Sequence, residues 1–268
     1  MLRPWLSNMW LCWGVGPVLA ANLGFFGTAL PLEFLSRYQN QSQFISYSKD
    51  KKRETFLEAT QKRISFLTQL KYCFWTMFGP TALINGALSA VIFNYLFPFK
   101  SEDPLIPALH ILILQVIALL VIGDFGLYWG HRIQHSNAFL WKHCHSLHHQ
   151  LDTPSPVSTL YIDGIDAFLQ AALPILVSIL IVQPHPISSY IYIILRLSDN
   201  AVNHSGLKPN LLIDILTLKF LPFRASVGHH DAHHKYSGYT GSAKNYAEYF
   251  WIWDYMFGTL STSVQKKD

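Results

Sequence analysis

Residues 105–135 read LIPALHILILQVIALLVIGDFGLYWGHRIQH. The apolar run from about Leu105 to Trp129 is long enough to cross the ~30 Å hydrocarbon core of a bilayer as a helix. Directly behind it stand His131 and His135. Four residues apart on a helix, two imidazoles share a face and can reach one metal ion. This one stretch therefore predicts a membrane helix and, at its end, a pair of metal ligands.

Other apolar runs flank it. The first, about Met9 to Leu35, is too long for a signal-peptide core and has no A-x-A-like cleavage site, so it is read as a retained span. The second runs from about Tyr72 to Phe97 and is closed by Pro98. A fourth block, about Ile165 to Leu197, is interrupted by Gln183-Pro184-His185-Pro186. Two prolines in four residues break a helix, so this block reads as a helical hairpin with short, tilted or incompletely spanning arms. Only 13% of the 268 residues are charged, against about 25% in a soluble domain. The net charge of +4 is too small and too spread out to suggest a nucleic-acid partner, and none is expected. Cys12, Cys73 and Cys144 are far apart and form no CxxC pair. That argues against a disulfide framework and a zinc finger and leaves small apolar packing.

Orientation follows from lysine and arginine. The polar segment 36–71 holds eight: Arg37, Lys49, Lys51, Lys52, Arg53, Lys62, Arg63 and Lys71. The connection 98–104 holds Lys100 alone, and the hairpin tip 183–186 holds none. The positive-inside rule puts 36–71 in the cytosol and the other two connections on the far side. Counting crossings then puts 130–164 and 198–268 in the cytosol too.

Those two regions hold most of the 13 histidines. After His131-x-x-x-His135 comes His145-Ser146-Leu147-His148-His149, whose i, i+3 and i+4 positions are expected on one helix face. His229-His230-Asp231-Ala232-His233-His234 repeats that spacing from His230, and His204 stands alone in Asn203-His204-Ser205-Gly206. Surface histidines would not need three matched spacings on one side of a membrane. His131, His135, His145, His148, His149, His204, His230, His233 and His234 exceed the four ligands of one structural zinc and suit two metals with four or five ligands each. Imidazole accepts Zn, Cu, Fe or Ni, so the ligand type does not select among them. A metal pair beside lipid suits oxidation of an unactivated C–H bond, which needs a redox-active metal and O2. The expected fold is all-α: one integral membrane bundle of four or five helices with a cytosolic, histidine-ligated di-metal cap. Residues 1–104 supply the N-terminal membrane helices and the loop 36–71, and 105–268 supply the catalytic region.

These motifs resemble the fatty acid hydroxylase/sterol desaturase superfamily, with its HxxxH, HxxHH and later HxxHH. The run Asp124 to Arg132, the approach Phe139-Leu140-Trp141-Lys142, the Asn203-His204-Ser205-Gly206 run, Asn245-Tyr246 and Trp253 to Thr259 are similar to it as well. The likeness covers about 105 to 260 and is nearest the branch of cholesterol 25-hydroxylase and the C-4 methylsterol monooxygenases. It implies a non-haem centre of two iron ions, O2 as co-substrate and a sterol or other lipid substrate. It also implies an endoplasmic reticulum membrane, and electrons from NADPH through cytochrome b5. The chain has no His-Pro-Gly-Gly and no GxGxxG, so cytochrome b5 and its reductase would be separate proteins. The tail Gln265-Lys266-Lys267-Asp268 resembles a dilysine retrieval signal with its lysines displaced.

Several residues have two readings. The family pattern favours His230 over His229, leaving His229 as an additional ligand or a neighbour bonded to one. Asp124 either accepts a hydrogen bond from a ligand imidazole or serves a helix end or ion pair. Asp231, Asn203 and Asp254 are similar candidates. His143 is read as a neighbour or surface residue, and His110 and His185 as structural. Tyr128, Trp129, Trp141, Tyr236 and Trp253 either line the way in for a lipid or form a membrane-interface belt.

Overall fold

A computed structural model describes residues 2–38, 64–239 and 243–261. The charge run 49–54 and the tail 265–268 lie outside the described residues. Among the described residues every regular element is helical, and the one β contact is an isolated bridge between Arg224 and Phe250.

A short helix, α1 (Leu2–Ser7), precedes a π-helical turn, Trp10–Val15, that runs into α2 (Gly16–Tyr38). The second apolar run is α3 (Phe66–Phe78) and α4 (Pro80–Leu96). It starts earlier than its hydropathy predicts because the Ser65 side chain caps the Thr68 N–H at 3.2 Å. It breaks at Gly79, whose extended backbone precedes Pro80 at the first turn of α4. The third run is one long helix, α5 (Leu109–Ser136). The predicted boundary at Trp129 does not exist, because nothing between Trp129 and Ser136 breaks a helix. From Leu109 to His131 the helix rises about 33 Å, close to the ~30 Å hydrocarbon thickness. The histidine pair therefore emerges where the bilayer ends.

After α6 (Ala138–His143) come two 3₁₀ turns, His145–Gln150 and Val157–Leu160. The hairpin follows. Its first arm is α7 (Gly164–Ala167), a π-helical turn Phe168–Ala172, and α8 (Leu173–Val182). Gln183 turns the chain with φ 48°, and α9 (Pro186–Asn203) returns. Three short helices close the fold: α10 (Leu211–Leu216), α11 (Val227–Tyr236) and α12 (Ile252–Met256).

Among the described residues four helical stretches are long and apolar enough to cross a membrane: Trp10–Ser36, Phe66–Leu96, Leu109–Ser136 and Gly164–Val182. Leu83, Tyr95 and Leu114 turn outward, as lipid-facing side chains do. The return arm α9 differs from its reading as an apolar arm. It buries Ser188, Ser189, Arg196 and Asp199 inside the bundle, and its Ile194 and Ser198 pack on α2. The two helices approach closely because Gly24 has no side chain; a Cβ there would lie 2.6 Å from the Ile194 carbonyl oxygen.

The two ends of the bundle are distinct. At one end Glu33 Oε2 accepts the Val157 N–H at 3.2 Å, and Cys73 Sγ donates to the Val157 carbonyl at 3.0 Å. The end of α2, α3 and the histidine-bearing connection thus meet there. At the other end Arg3 donates to the Ser101 carbonyl, and His185 Nε2 donates to the Pro104 carbonyl at 2.9 Å. His185 also caps α9 through the Ile187 N–H, the structural role expected of it. All three cysteines are free and buried.

Candidate metal centre

Four segments bring imidazoles to one end of the bundle. The last turns of α5 carry His131 and His135, the 3₁₀ turn carries His145, His148 and His149, and α11 carries His230, His233 and His234. His204 is the C-cap of α9. Ring nitrogens of His131, His135, His145, His149 and His233 lie within 4.8 Å of one another, and so do those of His148, His204, His230 and His234. Each HxxHH motif divides between the groups. Its i and i+4 rings stay together while the i+3 ring crosses, which differs from the single face expected. On α11 the cause is helical pitch: about 100° per residue puts i+3 and i+4 on opposite flanks of i. The 145–149 run is not an α-helix at all but a 3₁₀ turn.

The spacings match a coordination shell. His145 Nε2 lies 3.1 Å from both His135 Nε2 and His149 Nε2, and His233 Nε2 lies 3.2 Å from His149 Nε2. In the second group His204 Nε2 is 3.2 Å from His148, 3.1 Å from His230 and 3.3 Å from His234. Metal–nitrogen bonds of about 2.1 Å set ligands about 3.0 Å apart at right angles and about 3.4 Å apart in a tetrahedron.

Hydrogen bonds on the far side of the rings say what these nitrogens carry. Nδ1 donates to the Tyr246 carbonyl from His131 (2.8 Å), to Gly238 from His135 (3.1 Å), to Lys244 from His233 (2.7 Å) and to Asn200 from His204 (2.8 Å). A carbonyl only accepts, so in each neutral ring the proton is on Nδ1 and Nε2 presents a lone pair. Lone pairs converging at this distance repel, and a cation between them relieves the repulsion. Protonation is opposed. Burial, then neighbouring imidazoles, holds His148, His149, His230 and His234 well below the usual histidine range, and burial pushes His233 down to about 3. Both groups could hold a metal ion, and an all-imidazole donor set suits a late first-row metal.

The other candidates take different places. Asp124 bonds no ligand ring. It accepts the Tyr249 and Phe250 N–H groups at 2.9 and 2.8 Å and the Trp253 indole at 3.0 Å, tying the C-terminal segment to α5. Asp254 accepts the Tyr246 and Ala247 N–H groups at 2.9 Å, and its Oδ2 takes His229 Nε2 at 3.0 Å. His229 is thereby turned to Asp254 and belongs to neither group. Asn203, next to His204 in the chain, donates to the Glu248 carbonyl and accepts from Lys219 Nζ. Asp231 is buried on α11 beside His230. His143 is exposed, as is Tyr236. Trp141 packs on His135 and His149, with ring centroids 4.9 and 5.2 Å away, so it walls the five-histidine group. Trp253 joins the C-terminal segment to Asp124 through its indole N–H.

Sequence reasoning missed Asp166 and Gln170. Asp166 Oδ2 accepts His145 Nδ1 at 2.9 Å, and Gln170 Nε2 donates to Asp166 Oδ1 at 2.6 Å. The signal was present: a lone carboxylate at the head of an apolar run is costly unless it serves something. The buried Asp199, held by Arg224 at 2.8 Å and Lys219 at 3.0 Å, gave no such signal because its partners are distant in sequence.

Residues 116–259 match the fatty acid hydroxylase family. The chain is 31% identical over 189 residues to the very-long-chain aldehyde decarbonylase GL1-11 of Oryza sativa subsp. indica, covering 68% of each protein. It is 29% identical over 256 residues to methylsterol monooxygenase 2-1 of Arabidopsis thaliana, covering 91% of this chain and 87% of that one. It is 32% identical over 145 residues to methylsterol monooxygenase 2-2 of the same plant, covering 54% and 52%. No solved structure matches the chain.

Proposed function

The chain belongs to the fatty acid hydroxylase family, and from that premise we propose that this oxidoreductase is a di-iron monooxygenase that uses O2 to hydroxylate a membrane lipid, with a sterol as substrate. The observation that carries the proposal is the pair of converging imidazole groups, five and four. His131, His135, His145, His149 and His233 would hold one ion, and His148, His204, His230 and His234 the other. When bound, an iron pair supplies O2 activation and electron transfer, chemistry that zinc lacks. The chain's own residues do the rest. Backbone carbonyls fix the Nδ1 protons, so the Nε2 lone pairs are preset. Asp124 and Asp254 hold the C-terminal segment, whose Tyr246 and Lys244 carbonyls are among those anchors. The long helix α5 delivers the site to the edge of the bilayer, where a lipid carbon can be placed beside it.

The sterol is supported by the likeness to methylsterol monooxygenase 2-1, which runs over 91% of this chain. The likeness to the aldehyde decarbonylase favours a second reading, a very-long-chain acyl substrate. We place the protein in the endoplasmic reticulum with its histidines facing the cytosol. The support is the basic segment 36–71, whose described ends lie at the histidine end of the bundle. Electrons would come from NADPH through a separate cytochrome b5 and its reductase.

Lipid profiling of cells expressing wild type or His148→Ala tests the proposal. Wild type should carry about two irons per chain and yield a new hydroxylated sterol that His148→Ala cells lack. A hydroxy-acyl product in its place would select the second reading. Oxidation that survives His148→Ala, or purified protein without metal, would leave a non-catalytic membrane protein.

A further inference from the structure

The two imidazole groups are built differently, and the difference lies behind the rings. In the five-histidine group four rings are fixed from outside: His131, His135 and His233 by carbonyls, and His145 by the carboxylate of Asp166. In the four-histidine group His204 is fixed through Asn200, whereas the Nδ1 atoms of His230 and His234 are buried with no hydrogen-bond partner among the described residues; in the five-histidine group the same holds of His149 alone. A ring fixed in one tautomer and one orientation presents its lone pair without reorganisation. A ring free to turn or to shift its proton must give up that freedom when a metal binds. Both the ligand count and this pre-setting favour the five-histidine position.

Asp166 adds charge. Within the described residues the Nδ1 of His145 meets a carboxylate, whereas those of His131, His135, His204 and His233 meet backbone carbonyls. Both partners are buried, His145 at 0% and Asp166 at 1% exposure. Such a carboxylate pulls the Nδ1 proton toward itself, makes Nε2 more basic, and partly neutralises a cation on the ring's other side. The carboxylate is itself held. Gln170, one turn along the same helix, donates to its second oxygen at 2.6 Å. Asp166 opens the span Gly164–Val182, so it cannot move away without shifting a membrane helix. Buried Gln134 on α5 completes the cluster, its Oε1 lying 3.4 Å from Gln170 Nε2.

We infer that the two metal positions are unequal in grip, the five-histidine position being the tight one and Asp166, acting through His145, the residue that makes it so. This rests on the two-metal reading above. Asp166 is a positioning residue: it touches a ligand and not the metal. The four-histidine position is then the one that loses its ion first and regains it last.

Full-length protein in detergent, loaded with zinc as the probe and titrated with a competing chelator, separates the two positions. Wild type should release zinc in two steps. His204→Ala should remove the easy step and leave the hard one, which assigns the steps to the groups. Asp166→Asn should shift the hard step by about 10- to 100-fold toward easier release and leave the easy step in place. Gln170→Leu, a gentler change that frees the carboxylate without removing it, should shift the same step in the same direction by less. Hard-step release unchanged in both Asp166→Asn and Gln170→Leu, or both steps moved equally, would overturn the inference while the two-metal reading stood. Loss of the hard step in His204→Ala would also overturn it, by reversing the assignment. Wild type that binds no zinc would overturn both.

Discussion

At the scale of single residues, the decisive fact is that buried imidazoles are kept neutral and aimed. His233 shows the consequence. Its ordinary value is 6.5, and burial takes the folded ring down to about 3. Between these two values the unfolded ring takes up a proton that the folded ring refuses, so acid favours unfolding. The metal-free protein should therefore have level stability above 6.5 and lose it as pH falls from 6.5 toward about 3. His148, His149, His230 and His234 are shifted in the same direction and steepen the loss. Thermal midpoints of chelator-stripped protein across that range measure this. Midpoints that stay level or rise on acidification would show that the rings are not held neutral.

The gathering of these imidazoles was legible in the sequence because helical pitch ties i to i+4, as in His131 and His135. How each HxxHH motif divides was not, because it depends on a 3₁₀ turn and on where α11 docks. Nor were the Nδ1 anchors. Every residue carries a carbonyl, so nothing marks Tyr246, Gly238 or Lys244 in advance. Asp166 was legible and overlooked. Asp124 stands out in the sequence as costly, and its partners are the Trp253 indole and backbone N–H groups 125 and 126 residues away.

At the scale of elements, the site depends on close helix contacts made through glycine. α9 carries His204 at its end and packs along α2, where Ser198 donates to the Gly24 carbonyl at 3.1 Å. That contact needs Gly24, where a Cβ would meet the Ile194 backbone at 2.6 Å. Gly27 lies three residues on, and a Cβ there meets nothing nearer than a Leu23 methyl at 4.0 Å. Gly24→Ala should push α2 from α9 and cost about 1–3 kcal/mol, and Gly27→Ala should stay within about 0.5 kcal/mol of wild type. Thermal denaturation of the two variants side by side is the measurement. Equal midpoints would mean that the helices do not meet through Gly24. Gly130 plays the same part between α5 and the hairpin, since a Cβ there would lie 2.5 Å from the Leu169 carbonyl oxygen. Hydropathy found these helices but could not rank their glycines, since a glycine at a contact and one facing lipid read alike. It also read α9 as an apolar arm. Arg196 and Asp199 belong to it because they find partners inside, Glu248 at 3.1 Å and Arg224 at 2.8 Å.

At the scale of the whole molecule, sidedness links the fold to the chemistry. Counting basic residues put the three histidine clusters on one side and the connections 98–104 and 183–186 on the other. The structure gathers those same segments at opposite ends of the bundle, through contacts such as Glu33 to Val157 and His185 to Pro104. Charge bias and side-chain contacts are independent of each other, so their agreement has weight. It also yields a test that needs no catalysis. Cys12, Cys73 and Cys144 are buried, so they should not compete for a bulky impermeant maleimide. Glu102 and Lys142 are both exposed, one at each end. In sealed endoplasmic reticulum vesicles, whose cytosolic face is outward, Lys142→Cys should react with reagent added outside. Glu102→Cys should react only after the membrane is opened. The reverse pattern would turn the histidines toward the lumen, away from a cytosolic electron donor. Reaction of both from the same side would mean that the long helices do not cross, and a site at the bilayer edge would lose its physical basis.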